Sequence, residues 1–152
     1  MTRWATLIAT WFGCGRLPWA PGSWGSLAAL PCAWIILRFA GVPELAVAVA
    51  TLFVLGWWAA EVAVRQTDAK DPGWIVVDEV AGQCLTLTVA PLNLYAFGAG
   101  FLLFRLFDVW KPWPVSWADR NLTGGFGIMA DDILAAIYSG AVLALGRYLL
   151  ER

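Results

Sequence analysis

Apolar residues run along this chain in long blocks, separated by short stretches of Gly, Pro and charge. The blocks cover roughly 4–12, 24–37, 45–60, 74–90, 94–104 and 133–146. They are rich in Ala, Leu and Val and mostly too long for ordinary strands, so each predicts a helix. Ser23, after "APG", is placed to cap the second helix. Pro43 and Glu44 fall in the first turn of the third, where both are tolerated. "APLN" (Ala90–Asn93) divides a long apolar run in two. The pattern predicts an all-α, compact, membrane-associated bundle of about six helices. Residues 1–152 form a single domain, with several helices transmembrane or partly embedded.

Composition sharpens this picture. The 152 residues are 61% hydrophobic and only 14% charged, with mean hydropathy +0.69. Soluble domains carry nearly twice that share of charge, so the chain reads as a membrane protein. A net charge of −1 without a Lys/Arg cluster argues against a nucleic-acid partner, and no protein partner is implied. Histidine is absent, which removes the commonest general base and the commonest transition-metal ligand. Cys14, Cys32 and Cys84 have no metal-ligand spacing, and their odd number argues against a disulfide framework; they are expected to be buried small hydrophobes. Cys32 and Arg38 match the spacing of a cysteine-phosphatase loop, but the intervening "AWIIL" is bulky and helix-like, so the match is coincidental. No cleavable signal peptide is expected at the N-terminus.

Charge asymmetry orients the bundle. If each of the last five blocks crosses once, one side holds Arg3, Arg16, Arg65, Lys70, Arg105, Lys111 and Arg120; the other holds Arg38, Arg147 and Arg152. The side with seven is predicted to be cytoplasmic. Fusing the two middle blocks weakens the bias to six against four. Ten of the eleven tryptophans, all but Trp34, lie near the same side, as in an interfacial belt.

Eight of the eleven carboxylates fall between residues 68 and 132, seven of them in three clusters and Asp119 between the last two. "DAKDPGWIVVDE" carries Asp68, Asp71, Asp78 and Glu79. The last two are adjacent in an apolar setting, where unpaired charges are costly. In "FRLFDVWKPWP", Arg105 and Asp108 share a helix face, Lys111 follows, and Pro112 and Pro114 end the helix. Taken alone this is also an ordinary intrahelical ion pair beside a snorkelling lysine. "TGGFGIMADDILAAIYSG" leads through glycines into a helix expected to start near Asp131 and Asp132, where one Asp would suffice as a cap. A fourth stretch, "GCGRLPWAPGSWGS", is Gly-rich, carries Arg16 and leads into a helix N-terminus suited to an anion. Together the carboxylate pairs and Arg105, Lys111 and Arg120 resemble a hard-metal site beside an oxyanion site. A divalent cation such as Mg²⁺ would relieve the repulsion between neighbouring carboxylates.

These motifs resemble the bacterial phosphatidylglycerophosphatase A family: "GCGRLPWAPGSWGSLAAL", "VVDEVAG", "FRLFDVWKPWP" and "GGFGIMADD" together span residues 13 to 132. The resemblance implies removal of the terminal phosphate from phosphatidylglycerophosphate, Mg²⁺ dependence, and the bacterial cytoplasmic (inner) membrane with the site facing the cytoplasm. The expected machinery is Asp78, Glu79, Asp108, Asp131 and Asp132 as catalytic groups. Asp78, Glu79, Asp131 and Asp132 are the metal ligands, and Arg16, Arg105, Lys111 and Arg120 bind the substrate phosphate. Asp108 orients the cations or acts as general base; direct attack by water and an aspartyl-phosphate intermediate both stay open. The rival from another class is a small ion-coupled membrane transporter subunit, since membrane carboxylates also serve ion relays. "DAKDPG" lacks the Gly required by the Asp-rich run of CDP-alcohol phosphotransferases, which excludes that class.

Overall fold

A computed structural model describes residues 3–67 and 69–151, so Asp68 lies outside the described residues. Among them there are seven α-helices and no strand: α1 (Arg3–Ala9), α2 (Pro21–Phe39), α3 (Val42–Thr67), α4 (Val77–Leu87), α5 (Leu94–Trp110), α6 (Val115–Asn121) and α7 (Gly124–Leu150), with a 3₁₀ turn at Cys14–Arg16. The all-α bundle expected from the pattern is what forms.

Two helices, α3 and α7, are long and apolar enough to cross a membrane, with mean hydropathies of 1.9 and 1.7 over their best 18-residue stretches. Only 28% of each stretch is buried within the protein, so most of their apolar surface faces outward. Exposed apolar surface on this scale fits association with a membrane. Exposed Trp4, Trp19, Trp110, Trp113 and Trp117 add an aromatic fringe near one end.

The centre of the bundle is α4. Nine of its eleven residues are buried, and it packs against α2, α3, α5 and α7. At 1.5 Å per residue it is only about 16 Å long, too short to cross alone. The apolar block 74–90 is therefore a buried core helix, flanked by Trp74–Val76 and a short turn, not a full crossing. Thr86 and Ser139 share a buried 2.8 Å hydrogen bond between α4 and α7. Val76 N–H donates to the Ala9 carbonyl and ties the start of α4 to the end of α1.

Several boundaries differ from the sequence reading, each for a local reason. Helix α2 begins two residues before Ser23: Pro21 starts it behind Ala20 in left-handed backbone, so Ser23 lies inside the helix and caps nothing. Helix α7 begins at Gly124, seven residues before Asp131, so neither Asp131 nor Asp132 is a cap. The glycines are part of the helix because Gly125 packs directly on the α3 backbone at Trp57 and Glu61, where a Cβ would collide, and its N–H donates to Glu61 Oε2 at 2.8 Å. Other expectations hold: Pro43 and Glu44 stand in the first turn of α3, "APLN" separates α4 from α5, and α5 stops before Pro112; in addition, Asn93 caps α5 by accepting from Ala96 N–H. Cys84 is buried, whereas Cys14 and Cys32 are half-buried; all three are free thiols.

Candidate active site

The acidic pairs of the sequence meet at one end of the bundle. Asp78 and Glu79 open α4, while Asp132 comes from the third turn of α7. One carboxylate oxygen from each of Asp78, Glu79 and Asp132 lies within 4.8 Å of the other two. Asp78 and Asp132 are buried, at 8% and 4% exposure. Asp78 Oδ1, Glu79 Oε2 and Asp132 Oδ2 are buried without a hydrogen-bond partner among the described residues. Buried carboxylate oxygens are rarely left so, because each loses its hydration. Three carboxylates this close also oppose one another's ionisation. A hard divalent cation answers both costs: Mg²⁺ takes carboxylate oxygens at 2.0–2.1 Å, so trans ligands stand about 4.2 Å apart. The triad could hold such an ion with small side-chain rotations.

Arg105 and Asp108, one turn apart near the end of α5, complete one wall. Arg105 Nη1 pairs closely with Asp108 Oδ2 and lies 3.9 Å from Glu79 Oε1. The intrahelical pair of the sequence reading therefore exists, yet it is not isolated, because its arginine also leans on the triad. Arg105 Nε is buried with no partner among the described residues, leaving a donor to spare. Glu79 and Arg105 reach each other past Gly22 of α2. A Cβ on Gly22 would overlap Glu79 Oε1 and come within 3.2 Å of Arg105 Nη1. This is the role of the Gly-rich stretch in the site: its backbone approaches where no side chain fits.

Asp131 faces elsewhere. Its Oδ2 accepts a 2.7 Å bond from Lys111 Nζ, which also donates at 2.7 Å to Asp119 Oδ1 on α6. Neighbours on a helix point about 100° apart, which sends Asp131 to Lys111 and Asp132 to the triad. Burial alone would lower the Lys111 ammonium, but its bonds to Asp119 and Asp131 outweigh this and hold it above the ordinary lysine range. Its charge is therefore complete at neutral pH, and its stabilising effect is lost only as the pH rises through that raised value. Lys111 is not a free snorkelling cation; it clamps α6 and α7 to the end of α5. Lys111→Met should lower thermal stability by about 1–2 kcal/mol, less than the 3–5 of a fully buried pair because the ammonium is partly exposed. Thermal unfolding in detergent measures this, with Lys111→Arg expected to keep part of the loss at bay.

The remaining cations are less central. Arg16 is exposed on the 3₁₀ turn, whose Gly15 packs on the Trp74 carbonyl just before α4. Arg120 is exposed and donates to the Ser116 carbonyl of its own helix; no contact with the acidic triad is found for it among the described residues. One residue escaped the sequence reading: Gln83, fully buried on α4, with both amide atoms unpaired among the described residues. It stands four residues after Glu79 and therefore on the same face. An amide inside an otherwise apolar turn of a buried helix is the signal that could have found it.

Comparison with known proteins places this geometry. The model of a family described as phosphatidylglycerophosphatase A matches residues 7–147. A phosphatidylglycerophosphatase A of Escherichia coli (strain K12) is 40% identical over 138 residues, covering 90% of this chain and 80% of that protein. One from Haemophilus influenzae is 40% identical over 143 residues, covering 93% and 88%. A Bacteroides thetaiotaomicron protein provisionally named phosphatidylinositol-3-phosphatase is 38% identical over 152 residues, covering 95% and 94%. No solved structure matches.

Proposed function

The chain belongs to the phosphatidylglycerophosphatase A family, and from that premise we propose that it hydrolyses the terminal phosphate monoester of phosphatidylglycerophosphate with Mg²⁺ as cofactor. The products are phosphatidylglycerol and inorganic phosphate. The observation that carries this reading is the convergence of Asp78, Glu79 and Asp132 beside Arg105. Those groups combine what a phosphoryl transfer needs, a cation-holding acid cluster and a guanidinium for the phosphoryl oxygens.

Asp78, Glu79 and Asp132 would hold the ion. When bound, Mg²⁺ supplies charge stabilisation at the phosphoryl oxygens and acidifies a water. Arg105 then turns its unused donor toward the phosphate, adding positive charge where negative charge grows. Asp108 fixes that guanidinium through their ion pair, and its charge also bears on Glu79 and Asp132. This position lets Asp108 take the proton of the attacking water. The water oxygen bonds to phosphorus, the bond from phosphorus to the glycerol oxygen breaks, and that oxygen leaves with the proton that Asp108 took from the water. Asp131 acts at one remove, by keeping Lys111 locked. Arg16, exposed near the start of α4, is placed to meet the headgroup at the rim.

A lipid substrate fits the outward-facing α3 and α7, and the excess of cations near the site end fits a cytoplasm-facing site in the bacterial inner membrane. The test uses detergent-purified protein, phosphatidylglycerophosphate in mixed micelles, and free phosphate as readout, with and without Mg²⁺. Release that requires Mg²⁺ is expected, with phosphatidylinositol 3-phosphate turned over more slowly. No release under either condition would return the chain to the transporter reading.

A further inference from the structure

Accepting the lipid phosphatase reading, a second part of the substrate needs a place. The triad opens toward the seam between α2 and α5, where Glu79 and Arg105 keep side-chain exposures of 16% and 19% and meet past Gly22. Deeper along the same two helices lies an apolar groove of about 310 Å³. Leu30, Pro31 and Trp34 of α2 form one wall, and Leu94, Phe97 and Gly98 of α5 the other. Trp34 and Phe97 meet edge to face, with centroids 4.8 Å apart, and make its floor. Two features of the sequence shape the notch: Pro31 stands inside α2, and Gly98 presents no side chain, with no described atom within 4 Å of where its Cβ would be.

The offset between groove and site is informative. Counted from Gly22 to Pro31 on α2, and from Arg105 to Gly98 on α5, the groove lies roughly 11–14 Å below the triad. In phosphatidylglycerophosphate, one glycerol, a phosphodiester and a second glycerol separate the terminal phosphate from the first acyl carbons, a similar span when extended. We propose that this groove seats an acyl chain of the lipid substrate while its terminal phosphate reaches the triad and Arg105. A larger groove near Tyr95, Val142 and Gly146, between α5 and α7, is on a different seam and offers no such path.

Filling each groove separates the two. Gly98→Leu places a side chain in open space on α5; Gly146→Leu does the same on α7, where nothing lies within 4 Å either. Both variants and the parent are assayed in detergent with dioleoyl phosphatidylglycerophosphate and with its fully deacylated headgroup. Gly98→Leu is expected to raise KM for the dioleoyl substrate about tenfold, the loss of roughly two buried methylenes. Its kcat and its turnover of the deacylated headgroup should be unchanged, and Gly146→Leu should match the parent on both. An unchanged dioleoyl KM in Gly98→Leu, or an equal rise in Gly146→Leu, overturns the proposal. A photoactivatable acyl analogue gives a readout without catalysis: labelling is expected at 94–98 and 30–34, and labelling confined elsewhere overturns the assignment. If the parent labels there but hydrolyses neither substrate, the phosphatase reading fails and the groove stands.

Discussion

Asp132→Asn is expected to reduce phosphate release at least about a thousandfold without unfolding the protein. Removal of one preorganised electrostatic group from an active site already costs 10²–10³ in rate, and this substitution takes away a proposed ion ligand and a charge together. The side chain keeps its shape, so packing around α7 is spared. Asp132 is 4% exposed and one of its carboxylate oxygens has no partner among the described residues, so burying it beside Asp78 and Glu79 without a cation is costly. The substitution should therefore leave thermal stability in chelator equal to or above that of the parent. A rise in melting temperature with Mg²⁺ is expected for the parent if the triad holds the ion, and it should vanish in this variant. Phosphate release and thermal unfolding, each with and without Mg²⁺, check both halves. Near-parent activity in Asp132→Asn would end the assignment of the triad as the ion site. A sharp fall of stability in chelator would make Asp132 a structural residue.

The triad was legible in the sequence because its physics is local. Two adjacent acids amid valines, and two more before an apolar helix, are anomalous wherever the chain goes. What the sequence could not give is which of each pair faces inward, since that depends on where α4 and α7 come to rest. Asp131 read as equal to Asp132, yet the helical rotation between them sends one to Lys111 and the other to the triad. The pairing of Lys111 was not legible because one partner, Asp119, sits on α6. That helix is seven mixed residues, "VSWADRN", with no periodic apolar face to announce it. The start of α7 was hidden for a related reason. Two glycines look like a loop in isolation, and only close packing on α3 makes them helical. The apolar run likewise predicted a helix over 74–90, but not that it is only eleven residues long, buried and walled in on four sides.

Gly22→Val should produce the second large effect, a fall in kcat/KM of at least about a hundredfold, in a protein that still folds. Nothing about Gly22 demands glycine for its backbone, which is ordinary right-handed helix. The demand comes from its neighbours, since a Cβ there would overlap Glu79 Oε1 and crowd Arg105 Nη1. A branched side chain must push both groups aside, and a displacement of an ångström in an active site is enough for a loss of that size. Gly22→Ala should fall between, because one methyl asks for a smaller movement. Gly73→Ala, with nothing within 4 Å of its Cβ, should behave as the parent and serves as the control. The pattern across the three variants matters more than any one of them. A graded loss from Gly73→Ala through Gly22→Ala to Gly22→Val ties activity to the spacing of Glu79 and Arg105. Equal activity in all three would mean that these two side chains shift freely, and that their observed approach past α2 has no part in the chemistry.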